Sequence, residues 1–423
     1  MDATTAPSAP APLTAHLTST SAPPSATAGH HVDHDSINLG REKVHWGPEV
    51  WKRIDEAVAH EAHRASVAPK ILPHYKVHHH ITNIEADMVL QNLTPGAGPY
   101  APPRAGAGAP ATPPLLNVAE AAQLPIIELS VTFALSQAQM KKESEQKGGS
   151  PAHHSTPESH EGHPAHGGHP GHGGHPHHKH HPSSTAVMLA RRAANILCLA
   201  RDAVVFLGAN ALPAAGGGGL PLFVSQTVTA RGAPTDNGIT CIGGASNLPG
   251  AQVLPVTPIN TPAGGGANVL AQYSGNTVAA ISTACALLVS NGYMGPLASV
   301  LYFFEYADSF SPLSNTLVIP ADRIKPLLDA GYFTSGMLPG IPNPQTGNAA
   351  VQLPGLNGLV NPNTQGIGLV MSLGGNTIEF VNGLDPVTAF AYLDPVGNYI
   401  FRVFTRFATK ISDLGAIVRL EFA

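Results

Sequence analysis

Residues 127–135 read Ile-Glu-Leu-Ser-Val-Thr-Phe-Ala-Leu, with Ile127, Leu129, Val131, Phe133 and Leu135 alternating with Glu128, Ser130, Thr132 and Ala134. A period of two predicts a long strand with one apolar face. That face has to be covered by another layer. The next periodic block does not begin until residue 184, where SSTAVMLARRAANILCLARDAVVFLG carries Ala193, Ile196, Ala200, Val204 and Leu207 at helical spacing. Ser184 is placed to cap this helix and Gly208 to end it. The strand and the long helix are therefore neighbours in the order of folded elements, with a long insertion between them.

The insertion holds most of the chain's histidine. All 23 histidines lie in the first 181 residues, and twelve of them fall between His153 and His181. Residues 151–182 contain no apolar side chain larger than Ala or Pro, so they cannot bury enough surface to offset the entropy of ordering. His160, His163, His166, His169, His172 and His175 recur at every third position, interrupted by Pro164, Pro170 and Pro176. Proline at this density favours a polyproline-type helix, whose rise of about 3.1 Å per residue separates such histidines by roughly 9 Å. Zinc takes its nitrogen ligands at about 2 Å. A stiff tract would have to bend, or share ions with another chain, to chelate. With His177, His178, His180 and His181, the tract is a candidate low-specificity site for zinc, nickel or copper. The alternative is a solvated loop, and no cofactor is required by any other motif.

Composition narrows the remaining options. Charged residues make up 12% of the chain, about half the usual share, while Gly 44 and Pro 40 are both high. Such a chain is rich in loops or hides much of its surface against other subunits. A net charge of −5 and the lack of a basic run give no reason to expect nucleic acid as the main partner. Cys198 and Cys285 lie in apolar helical patterns and are expected as buried free thiols; with Cys241 they form no metal-type spacing. The N-terminus lacks a basic region followed by an apolar run, and the most apolar stretch, 278–289, is too short to span a bilayer. A cytoplasmic protein with no membrane partner is expected.

The other blocks alternate with low-complexity stretches. Residues 1–44, rich in Ala, Pro, Ser and Thr, are expected to be a disordered arm, with HHVDHD at 30–35 a weak metal candidate. WGPEVWKRIDEAVAHEAHRAS predicts an amphipathic helix with Trp51, Ile54, Val58 and Ala62 on its apolar stripe and Pro48 in the first turn. It has no helical neighbour in sequence, so its stripe docks on a distant part of the fold or on a partner. GGGG at 216–219 lacks the context of a phosphate loop. A second helix is expected over 274–290, stopped by Asn291-Gly292. A strand over 297–304 then follows Gly295-Pro296, and a short helix starts at Pro320. GIGLVMSLGG, NTIEFVNG, PVTAFAYLD, NYIFRVFTRFATK and AIVRLEF read as strands, with turns at Gly374-Gly375 and Asp394-Pro395.

In this order the blocks resemble the encapsulin family, bacterial shell proteins built on the tailed-phage major capsid fold. PEVWKRIDEAV is similar to the family's N-terminal helix and LPIIELSVTFALS to its extended-loop strand. TAVMLARRAANILCLARDAVVFLG is similar to its spine helix, and NGYMGPLASVLYFFEYAD to its helix–GP–strand. GIGLVMSLGGNTIEFVNGLDPVTAFAYLD and AIVRLEF are similar to its closing strands.

The resemblance covers about two-fifths of the chain and implies an α+β fold. Its parts would be an N-terminal helix, an extended-loop strand, a spine helix and antiparallel C-terminal strands. The implied segments are 1–44 (arm), 45–75 (cargo-side helix), 76–142 (extended loop), 143–183 (histidine-rich insertion) and 184–423 (shell domains). The implied function is not enzymatic. It is a homo-oligomeric icosahedral nanocompartment enclosing a peroxidase or ferritin-like cargo, held through a terminal peptide. On that reading Trp51, Ile54 and Val58 are expected at the cargo pocket. Two alternatives stand beside it. A phage or prophage major capsid protein would bring nucleic acid as a partner, and a histidine-dependent metal-binding or storage protein would rest on the tract. The segment after the strand, QAQMKKESEQ, departs from the family's usual acidic character.

Overall fold

The computed structural model describes residues 39–91, 116–145, 184–211, 227–232, 238–240, 252–258, 273–312, 318–338 and 366–422. These residues belong to one compact unit, Leu39–Ala423. The histidine tract, HHVDHD, Gly216–Gly219, Cys241 and most of the low-complexity stretches lie outside the described residues.

Two five-stranded sheets form the α+β body. The strands are β1 (His74–Lys76), β2 (Asn83–Gln91), β3 (Leu116–Pro125), β4 (Ile127–Leu135), β5 (Val228–Arg231), β6 (Gln252–Val256), β7 (Leu297–Leu301), β8 (Gly331–Thr334), β9 (Gly366–Ser372), β10 (Ile378–Leu393), β11 (Tyr399–Ile411) and β12 (Ile417–Phe422). One sheet runs β1-β10-β11-β4-β5 and the other β6-β12-β9-β7-β8. The C-terminal strands pair antiparallel, β10 with β11 and β9 with β12. The sheets as wholes are mixed, because β1, β6 and β8 add in parallel at edges. β10 is one strand rather than two; register shifts near Asn382, Leu384 and Phe390 absorb the irregularity that reads as a break in the sequence.

The helices are α1 (Pro48–Ala65), α2 (Ala68–Ile71), α3 (Gln137–Glu145), α4 (Thr185–Leu207), α5 (Ser274–Ser290), α6 (Phe303–Asp308) and α7 (Ala321–Ile324). α4 begins as its sequence requires, with the Ser184 Oγ accepting from the Val187 N–H at 3.1 Å, and it ends at Gly208 with φ 59. It lies over the β4–β11–β10 sheet and is buried far beyond a single stripe, with Leu197, Val205 and Leu207 fully enclosed. Each such side chain contributes about 1.5–3 kcal/mol of transfer free energy. Cys198 on α4 and Cys285 on α5 are buried free thiols, and burial pushes the Cys285 thiol up to about 11.

β4 is not a lone extended-loop strand. It sits inside the first sheet, paired with β11 from Ile127↔Phe407 to Leu135↔Tyr399 and with β5 on its other edge. Its Glu128 is held by Arg402 at 3.1 Å and lies 4.0 Å from Arg406. The chain also orders earlier than residue 45. Leu39 and Val44 are buried. The Arg41 guanidinium makes a bidentate pair with Asp55 at 2.7 and 2.8 Å and lies 4.6 Å from the Trp51 ring.

A further correction concerns residues 302–308. The strand begun at Leu297 stops at Leu301, and FFEYAD folds into the short helix α6. This places the Asp308 carboxylate at the start of α5, where Oδ2 accepts from the Tyr273 and Ser274 N–H groups at 2.6 Å each. Capping in three dimensions overrides the apolar run that the sequence offers as strand.

Candidate assembly surfaces

Within 76–142, the segment expected as the extended loop, β2 and β3 form a ribbon. The two strands pair antiparallel from Asn83↔Pro125 out to Gln91↔Leu116 and form a sheet of their own. Nine residues at about 3.4 Å per residue give a ribbon roughly 30 Å long. Among the described residues, the contacts fixing it to the body gather at its root. Leu124, Ile126, Val381 and Ala408 are buried together, with Val77, Ile81, Ile84 and Ala86 packed against them. Arg406 donates to the carbonyls of His79 and Ile81, and the Ile126 N–H donates to the Thr82 carbonyl at 2.8 Å. An isolated two-stranded ribbon is at best marginally stable in water, so its outer length needs a surface to lie on.

The β10–β11 turn is a second projecting feature. The Asp394 Oδ1 accepts from the Val396 and Asn398 N–H groups at 2.9 and 2.7 Å, and Oδ2 accepts from the Asn398 amide at 2.9 Å. Hydrogen bonds from the Asn398 backbone and side chain hold the Asp394 carboxyl below its usual range. Gly397 takes φ 90, which an L side chain resists. The turn is thus built rigidly, yet it presents Tyr392, Leu393 and Val396 to solvent, Val396 being 86% exposed. Elsewhere on the body Val289, Met294, Phe303 and Leu327 are singly exposed. Exposed apolar side chains on rigid supports mark contact surfaces.

The residues expected at a cargo pocket lie elsewhere. Trp51, Ile54 and Val58 are the core stripe of α1, with Ile54 and Val58 at 0% exposure. The Trp51 ring packs edge-on against Trp46 at 5.0 Å and lies 6.1 Å from Phe401. The stripe is filled by the chain's own α4 and sheet, so these side chains do not face an incoming peptide.

Buried polar groups fix α1 against α4. The Glu61 carboxylate accepts from Arg64 and from the Asn195 amide at 2.8 Å. Asp202 accepts from the Val67 and Ala68 N–H groups at 2.7 and 3.1 Å, tying the α1–α2 link to α4. Desolvation pushes the Asp202 carboxyl up to about 6, against the opposing pull of Arg201 and those two N–H groups. At the other end of α4, the Glu143 Oε1 accepts from the Ala186 N–H at 3.1 Å. That bond draws the end of α3 to the start of α4, so the residues on either side of the histidine tract are held together. Glu143 was not singled out by sequence reasoning; nothing in QAQMKKESEQ marks it as the cap of a helix beginning at residue 185.

The ten tract histidines, from His160 to His181, lie outside the described residues. Among the described residues no group of three or more His, Cys, Asp or Glu is placed to hold a metal ion. None of their helices is long and apolar enough to cross a membrane.

No protein-family model matches the sequence, and no curated protein matches it. Among solved structures, the chain is similar to a virus-like particle from Pyrococcus furiosus. The identity is 11% and the TM-score 0.48, over 88% of this chain and 100% of that one. It is also similar to a capsid chain of Myoviridae phage XM1, at 10% identity and TM-score 0.43, over 85% and 92% of the two chains. Similarity to a chain of Mycobacterium phage Ogopogo is at 15% identity and TM-score 0.46, again over 85% and 92%.

Proposed function

We propose that this chain is the repeating subunit of a closed, capsid-like protein shell. The observation that carries the reading is the β2–β3 ribbon. It is about 30 Å of paired backbone anchored at one end, and a second copy of the chain is the surface that would cover it. The rigid apolar turn at Tyr392–Val396 supports the same conclusion. So does the low charge of the chain, since large obligate interfaces are apolar. Closure by symmetry would bury the ribbon and the apolar surfaces in every copy at once.

Within this reading, the resemblance to encapsulins makes the shell a nanocompartment for a cargo enzyme, a peroxidase or a ferritin-like protein. Because Trp51, Ile54 and Val58 are occupied internally, a cargo tail would have to meet other residues. A phage-type capsid is the alternative. The purified chain is expected to elute in the megadalton range and to appear as uniform hollow particles by negative-stain microscopy. A monomer or dimer at micromolar concentration would end the shell reading.

The histidine-rich insertion is proposed to be a low-specificity zinc, nickel or copper site that assembly does not need. The Glu143–Ala186 bond supports this, because it closes the fold across the insertion. Replacing residues 146–183 with a short Gly/Ser linker is expected to leave particle size unchanged and to remove most nickel retention on washed particles. Loss of particles would make the insertion structural, and unchanged nickel retention would place the metal elsewhere.

A further inference from the structure

The solvent side of the α1–α4 layer is basic in a way that neither helix reveals alone. The contacts Glu61–Asn195, Ala62–Cys198 and Ser66–Arg201 run in the same order along both helices, so α1 and α4 lie side by side and parallel. α1 turns Lys52, Arg53 and Arg64 outward, with His60 and His63 between them. α4 turns Arg191 and Arg192 outward, on the face whose Asn195 bonds to α1. Lys70 on α2 joins the same end through its bond to the Arg64 carbonyl.

Against these cations the two helices expose Glu49 and Glu56; of their other carboxylates, Asp55 is paired with Arg41, Glu61 is buried and bonded to Arg64 and Asn195, and Asp202 is buried against the Val67 and Ala68 N–H groups. The local balance is positive although the whole chain carries −5. Charges interact over about 8–10 Å in physiological salt, so the local balance is what a ligand meets.

The strip has dimensions. Arg53 to Arg64 spans about 16 Å at 1.5 Å per residue, and packed helix axes lie about 8–10 Å apart. The strip is therefore two helices wide. Among the described residues it offers no aromatic or clustered apolar anchor of the kind a docked peptide uses, because Trp51, Ile54 and Val58 are turned inward. The large apolar side chain exposed on α4 is Met188, at 50%. Spaced cations without a pocket or an exposed aromatic ring suit a ligand read by its charge alone, and the densest such ligand is a phosphodiester backbone.

We propose that the outer face of the α1–α4 layer binds the phosphate backbone of nucleic acid, without sequence preference. The inference goes beyond the shell reading and does not require it. Both helices lie on one side of the β4–β11–β10 sheet, and the root of the ribbon lies on the other, where Val381 and Ala408 point. A shell whose ribbons overlap on one side of its wall would present the cations on the opposite side.

The test is fluorescence anisotropy of a labelled 30-base-pair duplex against the full chain, in assembled form and after dissociation, from 50 to 200 mM salt. Binding is expected to fall with salt at a log–log slope of about −3 to −5, the slope for roughly four or five phosphate contacts. The triple variant Lys52→Glu, Arg53→Glu, Arg191→Glu is expected to bind at least tenfold more weakly. All three positions are exposed, but Arg191 also helps hold the buried Glu61 carboxylate ionised. The double variant Lys52→Glu, Arg53→Glu, which leaves Glu61 that cation, is therefore measured beside it and should also bind more weakly, with unchanged circular dichroism and melting. The double variant Arg323→Glu, Lys325→Glu, on and just beyond α7, is the control and should bind as the parent does. The proposal fails if neither form binds at 50 mM salt, or if the triple variant loses less than threefold. It also fails if poly-glutamate competes as well as the duplex, which would assign the face to acidic peptides. Because binding is read on dissociated chains as well, a failure to assemble leaves this result interpretable.

Discussion

A chain in which residues 87–121 are replaced by Asn-Gly is expected to fold and to remain unassembled. The cut falls at a registered pair, Ala86↔Ala122, so the remaining strands can close through a type I′ turn. The contacts described at the root of the ribbon are retained: the cluster of Leu124, Ile126, Val381 and Ala408 and the Arg406 bonds to the His79 and Ile81 carbonyls. The folded core should therefore lose little, and the melting midpoint should move by no more than a few degrees. Assembly is a different matter. Among the described residues the outer ribbon is paired backbone with no second layer beneath it, so a neighbouring subunit is the surface expected to stabilise it. Each subunit of a closed shell uses such a contact repeatedly, and losing it removes the same interface at every position. Size-exclusion chromatography with light scattering should show the excised chain as a small species while the parent forms particles. Full-size particles from the excised chain would show that the ribbon is not an assembly element. A molten, aggregated product would show that the ribbon belongs to the fold itself, and near-ultraviolet circular dichroism distinguishes that outcome.

The sequence made the body legible wherever one chain segment carries a whole signal. The alternation at Ile127–Leu135 produced β4, and Ser184 and Gly208 bounded α4 to within a residue. Asn291-Gly292 ended α5, with Gly292 at φ 90. Signals split between distant segments were not legible. β2 and β3 are each unremarkable, and the Pro/Ala/Gly-rich residues between them hide their pairing. The resemblance of LPIIELSVTFALS to an extended-loop strand therefore points to β4, whereas in the structure the strand pair standing apart from the two main sheets is β2–β3. The partner of α1 is α4, more than a hundred residues away, so periodicity alone leaves its apolar stripe open between a distant part of the fold and a partner molecule. The basic face has the same origin: Lys52 and Arg53 come from one helix and Arg191 and Arg192 from the other, and a search for basic runs finds neither. Gly295 and Gly374 show a subtler case. Gly374 reads as a turn residue and Gly295 as the lead-in to a strand, but a Cβ on either would collide with the backbone of the other, so each glycine is also required by the other's position. Periodicity reports which face of an element is apolar, and it carries no information about which element covers that face.

Phe401→Ala is expected to cost about 3–5 kcal/mol, the usual range for truncating an enclosed aromatic ring. Phe401 lies on β11 at 0% exposure. Its ring stacks on Trp46 at 5.0 Å with 3° between the planes, and on Phe133 from β4 at 5.4 Å. Phe390 from β10 meets it edge-on at 5.7 Å. It therefore joins the segment before α1 to three adjacent strands of the first sheet, and truncation opens a cavity between elements that cannot all collapse into it. The contrast is Trp46→Phe. The Trp46 indole N–H is buried without a hydrogen-bond partner among the described residues, so its removal recovers part of the desolvation cost, and that variant should lose far less than Phe401→Ala. Both tryptophans of the chain lie in this stack, so intrinsic fluorescence reads its unfolding directly. In urea the Phe401→Ala midpoint should fall well below the parent's with little change in slope, the sign of lost stability rather than altered cooperativity. A loss under about 1 kcal/mol would mean that the stack closes around the missing ring. In that case α1 would be held to the sheet by its polar ties, Arg41–Asp55 and Asp202 to the Val67 and Ala68 N–H groups, rather than by aromatic packing.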